Sequence, residues 1–393
     1  MALSKKIQGF ITQSSWIRKM FEAGIQLKEQ YGAENVFDFS LGNPNVPPPD
    51  RFQQVLRETA ADDRPGVHAY MPNAGLSETR SAIARHLSHI HEMPITTDHI
   101  ITTCGAGGAL NVVFKTLLDP DDEVIIPTPF FVEYRFYIDN HDGIPVLVST
   151  NDDFSLDIAA VEKAITDKTK IVLINSPNNP TGAVYDADQI DALSRLLSDK
   201  SAALGREIYL VSDEPYRDIV YDGMIVPSVL SRYQNSIIAT SYSKSLSIPG
   251  ERIGYIALNP ALSDRGAVTA GMVLCNRILG FVNAPALMQR VVARLQGVSV
   301  ESTVYQKKRD LLYAGLTDIG YDVEKPVGAF YLFPRTPIDD DVAFVQVLQK
   351  YNILAVPGSG FGGPGHIRLS YCVDDTTITG AMSGFERAFH EFR

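Results

Sequence analysis

The sequence has few cysteines and no long apolar run. Its three cysteines, Cys104, Cys275 and Cys372, stand far apart, and no Cys-x-x-Cys pair occurs. An odd number of isolated cysteines predicts neither a disulfide framework nor a zinc knuckle and favours a reducing compartment. No stretch of about eighteen uncharged apolar residues is present, and the first ten residues lack the apolar centre of a signal peptide. We therefore expect a cytoplasmic protein.

Basic charge is also scarce. The chain has 35 Lys and Arg residues against 46 Asp and Glu residues, which gives a formal net charge of −11. Such an acidic surface repels phosphate backbones and anionic lipids unless basic residues gather in a patch, and the sequence shows no such patch. The charge pattern therefore predicts no nucleic-acid partner and no membrane partner.

Short apolar runs rich in Val and Ile dominate the middle of the chain, between about residues 95 and 259, and they alternate with helix-like segments. Continuous apolar strands, rather than alternating ones, indicate a sheet that helices cover on both faces, so we predict a mostly parallel α/β domain. The seven runs are 100–102, 123–126, 146–148, 170–174, 207–211, 236–239 and 252–258.

The two ends of the chain have a different pattern. Residues 14–32 carry apolar side chains at spacings of three and four, which predicts an amphipathic helix capped at Ser14 or Ser15. After about residue 283 the pattern indicates a long helical stretch over 284–316, two strand-like pieces and a last helix. We predict a large domain over 45–282 and a smaller α+β domain formed by 1–44 and 283–393.

Two patterns are weaker than they first look. Gly358–Gly363 matches the dinucleotide fingerprint G-x-G-x-x-G, but Pro364 and a strand-like segment follow it where the fingerprint needs a helix. His86, His89 and His91 are close enough to suggest a metal, yet no second set of ligands completes a site. We predict no metal and interpret the histidines as a solvated helix end.

Five segments, most of them at strand ends, hold the candidate site residues. Ligands of parallel sheets bind beyond the carboxyl ends of the strands, so these segments can contribute to one site. In the first, Gly105, Ala106 and Gly107 are small enough for their backbone amides to approach an anion, and a helix over 111–118 adds partial positive charge. A tight strand-to-helix turn would explain the same glycines. In the second, prolines hold Asn179 in a rigid loop, where it is either a positioned amide donor or part of a simple turn.

The other three segments carry charge. Asp213 follows a strand and is costly to bury unless it meets a cation or a proton, although a helix cap is an alternative. Lys244 lies among Ser241, Ser243 and Arg252, which are donors suited to a phosphate dianion. Arg368 is either a surface residue of an alternating strand or a planar fork for a carboxylate.

The order of these motifs resembles the class I/II, fold-type I pyridoxal-phosphate-dependent aminotransferases of the aspartate aminotransferase superfamily. The resemblance covers essentially the whole chain, from 39–44 and 70–76 to the Arg368 strand. It implies a large domain with a mostly parallel seven-stranded sheet covered by helices, and a smaller α+β domain. The motifs are G-A-G-G-A-L (105–110), S-P-N-N-P-T-G (176–182), D-E-P-Y (213–216), S-Y-S-K (241–244), G-E-R-I-G-Y (250–255) and R-L-S (368–370).

The resemblance implies three catalytic residues. Lys244 would form a Schiff base with the aldehyde of pyridoxal 5'-phosphate, Asp213 would pair with the protonated pyridine nitrogen, and Tyr216 would donate to the phenolic oxygen of the ring. Proline follows Asp213-Glu214 where the family more often has a branched aliphatic residue, which bears on how Tyr216 is presented.

The remaining roles follow from the same resemblance. Ser241, Ser243, Arg252 and the amides around Gly105, Ala106 and Gly107 would hold the phosphate, and Asn179 would assist Tyr216. Phe131 would stack on the ring, with Phe130 as the alternative. Arg368 would bind the substrate α-carboxylate while the backbone of Gly42 closes over it and Asn179 contributes. Tyr70 would reach the phosphate of a neighbouring subunit, which implies a two-fold homodimer.

The reaction implied is transamination between an L-amino acid, with aspartate as the best guess, and a 2-oxo acid. Arg277 lies near the place of the family's second substrate-binding cation but not in register with it. A β-eliminating C–S lyase acting on cysteine conjugates is the alternative within the fold. A regulatory module joined to a DNA-binding domain is disfavoured, because the segment before Phe39 is short and lacks a basic helix-turn-helix.

Overall fold

The computed structural model describes residues 3–13 and 16–392. The cap predicted at Ser14 or Ser15 lies outside the described residues. The strands are Phe37–Asp38 (β1), Ile100–Thr103 (β2), Glu123–Thr128 (β3), Ile144–Ser149 (β4), Thr169–Asn175 (β5), Tyr209–Asp213 (β6), Ser236–Ser241 (β7), Gly254–Leu258 (β8), Tyr331–Leu332 (β9), Ile353–Leu354 (β10), Val356–Pro357 (β11) and Ile367–Ser370 (β12).

Helices make up about half of the rest of the described chain. They are Lys5–Gln13 (α1), Trp16–Tyr31 (α2), Asp50–Ala60 (α3), Ser77–His91 (α4), Gly105–Leu117 (α5), Glu133–Asp139 (α6), Ile158–Ala164 (α7), Ala187–Leu204 (α8), Arg265–Ile278 (α9), Ala286–Ala293 (α10), Ser302–Ile319 (α11), Asp341–Lys350 (α12) and Asp375–His390 (α13).

Seven strands form the central sheet, in the order β2-β8-β7-β6-β5-β3-β4. Strand β8 runs antiparallel to both of its neighbours, and the other pairs are parallel. This arrangement confirms the predicted mostly parallel α/β fold. All five residues of β6 and all six residues of β7 are buried, which explains their continuous apolar character.

Successive side chains of the sheet enter two separate cores. Val172 of β5 lies in a core cluster with helices α4 and α8, whereas its neighbours Ile171 and Leu173 lie in a second cluster with α5 and α9. Alternation of this kind follows from the pleat, which directs neighbouring side chains to opposite faces. Helices therefore cover both faces, and the polar ends of the strands are left as the accessible part of the sheet.

A third core cluster belongs to the C-terminal part of the chain. It gathers buried side chains of α11, α12 and α13 together with Phe39 and Tyr216. Strand β1 pairs in parallel with β10, so that Phe37 lies opposite Ile353, and the N-terminal segment returns to the C-terminal part. The domain limits at 45–282 and 283–393 stay a prediction.

Two helix predictions were wrong in their limits. Helix α5 begins at Gly105, six residues before the predicted start at Asn111, so the small residues form its first turn. The predicted helix over 284–316 is two helices, α10 and α11, and Gly297 between them has a φ of +77°, which an α-helix cannot include. Helix α10 packs on α3 and α4, and its buried side chains belong to the core of the sheet.

Three further predictions concern the segment that begins at Gly358, metal binding and membrane-spanning helices. Gly358 begins a short 3-10 turn that leads into strand β12, as the sequence predicted, and no helix follows it. Over the described ranges, no group of three or more His, Cys, Asp or Glu side chains is arranged to hold a metal ion. In the same ranges no helix has the length and apolarity needed to cross a membrane.

Candidate active site

The carboxyl ends of β5, β6 and β7 open into one cavity. Because these strands are parallel neighbours, Asn175, Asp213 and Ser241 come to the same edge of the sheet. Twelve of the fourteen residues predicted for the site line this cavity. They are Gly42, Ala106, Gly107, Phe131, Asn179, Asp213, Tyr216, Ser241, Ser243, Lys244, Arg252 and Arg368.

Lys244 follows β7 and directs its amine into the cavity. Its Nζ donates a hydrogen bond to the carbonyl oxygen of Gly42 at 2.7 Å, which ties the N-terminal segment to the lysine. Burial lowers the pKa of Lys244 to about 8, and the positive charges of Arg368 and Arg252 act in the same direction. About a tenth of this amine is therefore neutral at pH 7, and so nucleophilic, which is far more than for an ordinary lysine.

Asp213 ends β6 as a buried carboxylate with one oxygen unused. Its Oδ2 accepts a hydrogen bond from the Tyr134 hydroxyl at 2.5 Å, while its Oδ1 has no partner among the described residues. Burial raises the pKa of Asp213 to about 7 against the opposing effect of the Tyr134 hydrogen bond. Such a carboxylate is stabilised by a cation or an N–H donor placed at Oδ1.

Small residues, hydroxyls and an arginine lie together at another wall. Ser241 Oγ donates to Ser243 Oγ at 3.0 Å, and both serines are buried. Gly105 does not line the cavity but lies against Arg252, since a Cβ atom added to Gly105 would be 2.7 Å from the arginine Nη2. Ala106 in the first turn of α5 faces the cavity, so the partial positive charge of the helix start is available there.

Arg368 is buried in strand β12, which excludes the surface alternative. Its Nη2 donates to the carbonyl oxygen of Ser40 at 2.6 Å and its Nη1 donates to Asn179 Oδ1 at 3.1 Å. The guanidinium lies 4.7 Å from the ring centroids of both Tyr331 and Phe361. Its Nε has no hydrogen-bond partner among the described residues, so part of the fork is unused.

The two phenylalanines of the Pro129 segment have different places. Phe130 is 1% exposed and lies in the core, with the Arg135 guanidinium 5.0 Å from its ring centroid. Phe131 lines the cavity and packs edge-on against Tyr134, with 5.4 Å between the ring centroids. Phe131 is therefore the one whose ring can contact a ligand in this cavity.

Tyr70 and Arg277 lie outside the lining of the cavity. Tyr70 is 94% exposed and does not line the cavity of its own chain. Arg277, considered as a second substrate-binding cation, is exposed on α9 and does not line the cavity either.

Sequence reasoning missed several lining or supporting residues. The Tyr331 hydroxyl lies 2.9 Å from that of Tyr216, and Asn175 donates from Nδ2 to the Asp213 carbonyl oxygen at 2.9 Å. Asn175 could have been found, because it ends a buried strand as Asp213 does. Tyr134, Glu133 and Tyr137 lie on the short helix α6. No sequence motif indicates which side of this helix is turned toward the cavity.

Comparison with known proteins identifies the family. A family model described as "Aminotransferase class I and II" matches residues 34–385. The chain belongs to this family. A probable aspartate aminotransferase of Methanocaldococcus jannaschii is 33% identical to this aminotransferase over 360 residues, which are 90% of this chain and 93% of the relative.

Two further similarities span nearly the whole chain. An asparagine–oxo-acid transaminase of Streptococcus mutans is 30% identical over 372 residues, covering 91% of this aminotransferase and 92% of the relative. The crystal structure of an amino transferase from Eubacterium rectale has a TM-score of 0.97 and 40% sequence identity, with full coverage of both chains. The predicted fold type, enzyme class and family are thereby confirmed.

Members of the family use pyridoxal phosphate, and the cavity of this aminotransferase fits that group. The free Oδ1 of buried Asp213 suits a protonated ring nitrogen, and the hydroxyls beside Arg252 suit a phosphate dianion. The buried Lys244 amine, with its lowered pKa, suits an aldehyde. Acid, amine and anion-binding groups thus occur together, as the cofactor requires.

Proposed function

We propose that this aminotransferase moves an amino group between an L-amino acid and a 2-oxo acid in the cavity around Lys244. One observation carries the proposal: a buried lysine amine shares a cavity with a carboxylate that has a free oxygen and an arginine that has an unused donor. Each of these groups is costly to bury unless a ligand completes it. An amino acid and pyridoxal phosphate supply the missing partners.

The residues would divide the two ligands between them. Asp213 holds the ring nitrogen, Tyr216 with Asn179 holds the phenolic oxygen, and Phe131 covers one face of the ring. The phosphate is held by Ser241, Ser243, Arg252 and the amides of the first turn of α5, around Gly105, Ala106 and Gly107. Arg368 binds the substrate α-carboxylate, supported by Asn179 and by the segment of Gly42.

Lys244 then moves the proton on which the reaction depends. Bound pyridoxal phosphate supplies an electron sink that makes the Cα hydrogen of the substrate acidic. Once the substrate occupies the cavity, the neutral Lys244 amine is the base beside Cα, and its lowered pKa keeps it competent near neutral pH. Arg368 fixes the orientation of the substrate, so that Cα faces the amine.

Aspartate is the amino donor that the resemblance suggests. The names of relatives support it in part, since one is a probable aspartate aminotransferase and another an asparagine–oxo-acid transaminase. Both names are compatible with an α-carboxylate clamp at Arg368, so the choice of donor depends on the other walls of the cavity.

The active enzyme is proposed to be a two-fold homodimer in which Tyr70 completes the phosphate site of the neighbouring subunit. The exposure of Tyr70, a large amphipathic side chain, supports this assignment. We also propose a domain built on the sheet and a domain built on the third core cluster. The packing of α10 on α3 and α4 favours placing their boundary after Val298 rather than at residue 283.

Acceptor dependence separates this function from the lyase alternative. The purified protein, loaded with pyridoxal phosphate, is incubated with a panel of amino acids, with and without 2-oxoglutarate or pyruvate. Transamination predicts that new amino acid forms only when the 2-oxo acid is present. Pyruvate and ammonia released from cysteine conjugates without an acceptor would establish the lyase instead.

A further inference from the structure

The cavity wall contains one acidic side chain that the proposed chemistry does not use. Glu133 begins helix α6 and lines the cavity together with Arg368 and Lys244. Its Oε2 is buried and has no hydrogen-bond partner among the described residues. A buried carboxyl oxygen without a partner is costly for the free protein, which points to a ligand that completes it.

The position of Glu133 relative to the other groups suggests which part of a ligand it meets. In the proposed function, Arg368 binds the substrate α-carboxylate and Lys244 removes the Cα hydrogen. The substrate side chain must then lie against the rest of the lining. On that remaining wall, Glu133 and Tyr137 occupy the same side of α6, four residues apart. Burial raises the pKa of Tyr137 to about 12, and the charges of Glu133 and Asp213 add to that effect.

The basic residues of the lining leave no partner for a second substrate carboxylate. Among the described residues that line the cavity, the cations are Lys244, Arg252 and Arg368, and each already has a role. Arg277 is exposed and does not line the cavity of its own chain. Of the charged side chains that the structure describes in this lining, Glu133 is therefore the one without an assigned role.

We propose that Glu133 selects amino donors whose side chain ends in a hydrogen-bond donor and acts against donors with a second carboxylate. The inference rests on the proposed transamination and revises only its donor, from aspartate to the corresponding amide. An amide N–H completes the free oxygen of Glu133, whereas a carboxylate brings a like charge into a partly desolvated site. Sites built to hydrogen-bond a substrate group discriminate strongly against an analogue that cannot form the bond.

Matched pairs of substrates test the inference. The pyridoxal-phosphate-loaded protein is mixed with asparagine or aspartate, and with glutamine or glutamate, and the rate of the first half-reaction is followed by cofactor absorbance. Each pair has nearly the same size and shape, so the ratio of kcat/KM values reports the charge and the donor alone. The wild-type protein is expected to prefer the amide of at least one pair by about tenfold or more.

Variants connect the ratio to Glu133. Glu133→Gln removes the charge and is expected to lower the amide-to-acid ratio at least about tenfold, chiefly by improving the acid. Glu133→Asp keeps the charge and is expected to keep the amide preference. If Glu133→Gln does not bind cofactor, the amide-to-acid ratio of Glu133→Asp tests the inference in its place. Glu386→Gln, at an exposed position of α13, is the matched control and should leave the ratio unchanged.

Three results would count against the inference. A wild-type preference for aspartate and glutamate over their amides would overturn the inference. A cation that a second subunit brings next to Glu133 would produce that result. An amide preference that survives in Glu133→Gln would also overturn it. If no amino acid changes the cofactor absorbance of the wild-type protein, the proposed transamination itself fails, and that result is distinct from the other two.

Discussion

At the scale of single residues, the site is built from groups that are incomplete in the free chain. Asp213 has an unused oxygen, Arg368 an unused N–H, and Lys244 a lowered pKa because of burial. Such groups reduce the stability of the folded protein and become favourable only when ligands are present. Burial of these groups reduces the stability of the free protein, and it also shifts the pKa values on which their chemical roles depend.

The Asp213 carboxylate predicts a pH-dependent gain of stability on its removal. Its pKa is about 7 in the folded chain against an ordinary value of 3.8, so folding without cofactor must bury a charge once the pH exceeds 7. The contribution of Asp213 to the stability of the cofactor-free protein therefore falls as pH rises from about 4 to 7. Asp213→Asn avoids this loss and should be more stable at pH 8, on the order of 4 kcal/mol, while losing activity.

Urea unfolding of cofactor-free protein measures this effect. The midpoints of Asp213→Asn and wild type should converge toward pH 4, move apart as the pH rises toward 7, and stay apart at pH 8. A difference that is the same at pH 4 and pH 8 would show that packing, and not the charge of Asp213, causes it.

The sequence predicted these residues unevenly. Lys244, Asp213 and Arg368 were predictable because each is a charged residue at the end of, or within, an apolar strand, where a charge needs a reason. Glu133, Tyr134 and Tyr137 were not, because a short helix in a loop gives no periodic signal and their facing side depends on tertiary packing. The choice between Phe130 and Phe131 also required the fold, since both are apolar and adjacent.

At the scale of elements, the sheet was predicted better than the helices. Buried parallel strands read as continuous apolar runs, and all seven predicted runs overlap strands of the sheet. Helix limits depend on single residues: α5 begins at Gly105 although small residues suggested a turn, and Gly297 interrupts the predicted helix over 284–316. Local propensity is weak at such positions, and tertiary contacts decide the limits.

Strand β8 links the sheet to the anion-binding groups through Gly254. A Cβ atom at Gly254 would lie 2.3 Å from the Thr240 carbonyl oxygen and 2.9 Å from the Gly105 carbonyl carbon. Gly254→Ala must therefore separate β8 from β7 or from the start of α5, and we expect a loss of about 1–3 kcal/mol in stability with weaker cofactor binding.

Thermal unfolding and cofactor titration check this prediction. Gly266→Ala on α9 is the matched control, because nothing lies within 4 Å of its added Cβ and a helical alanine is at least as stable as glycine. Equal behaviour of the two variants would show that the close approach at Gly254 is unimportant.

At the scale of the whole molecule, the chain folds around three core clusters, with the cavity where the sheet meets the C-terminal part. Gly42 contacts Lys244, and Ser40 contacts Arg368, so the N-terminal segment closes one side of the cavity. The sequence predicted that this segment returns to the C-terminal part. The high exposure of Tyr70 has no explanation within a single chain.

Mixed dimers test whether Tyr70 serves the neighbouring subunit. Lys244→Ala chains should be inactive, and Tyr70→Ala chains should bind cofactor weakly. If Tyr70 reaches across, a mixed dimer contains one site with both Lys244 and Tyr70 intact. We expect mixing under conditions that exchange subunits to restore activity at limiting cofactor, toward half of the wild-type value when mixed dimers predominate. Activity no higher than the sum of the separate variants would place Tyr70 outside the neighbouring site.

The proposed function depends on a bond between Lys244 and pyridoxal phosphate, and borohydride reduction can trap that bond. Reduction fixes the cofactor on the lysine that holds it, and peptide mass spectrometry then locates the added mass. The added mass is expected on Lys244, and an amino acid donor added before reduction should prevent its attachment. Cofactor fixed to another lysine, or to none after incubation with excess pyridoxal phosphate, would contradict the proposed function.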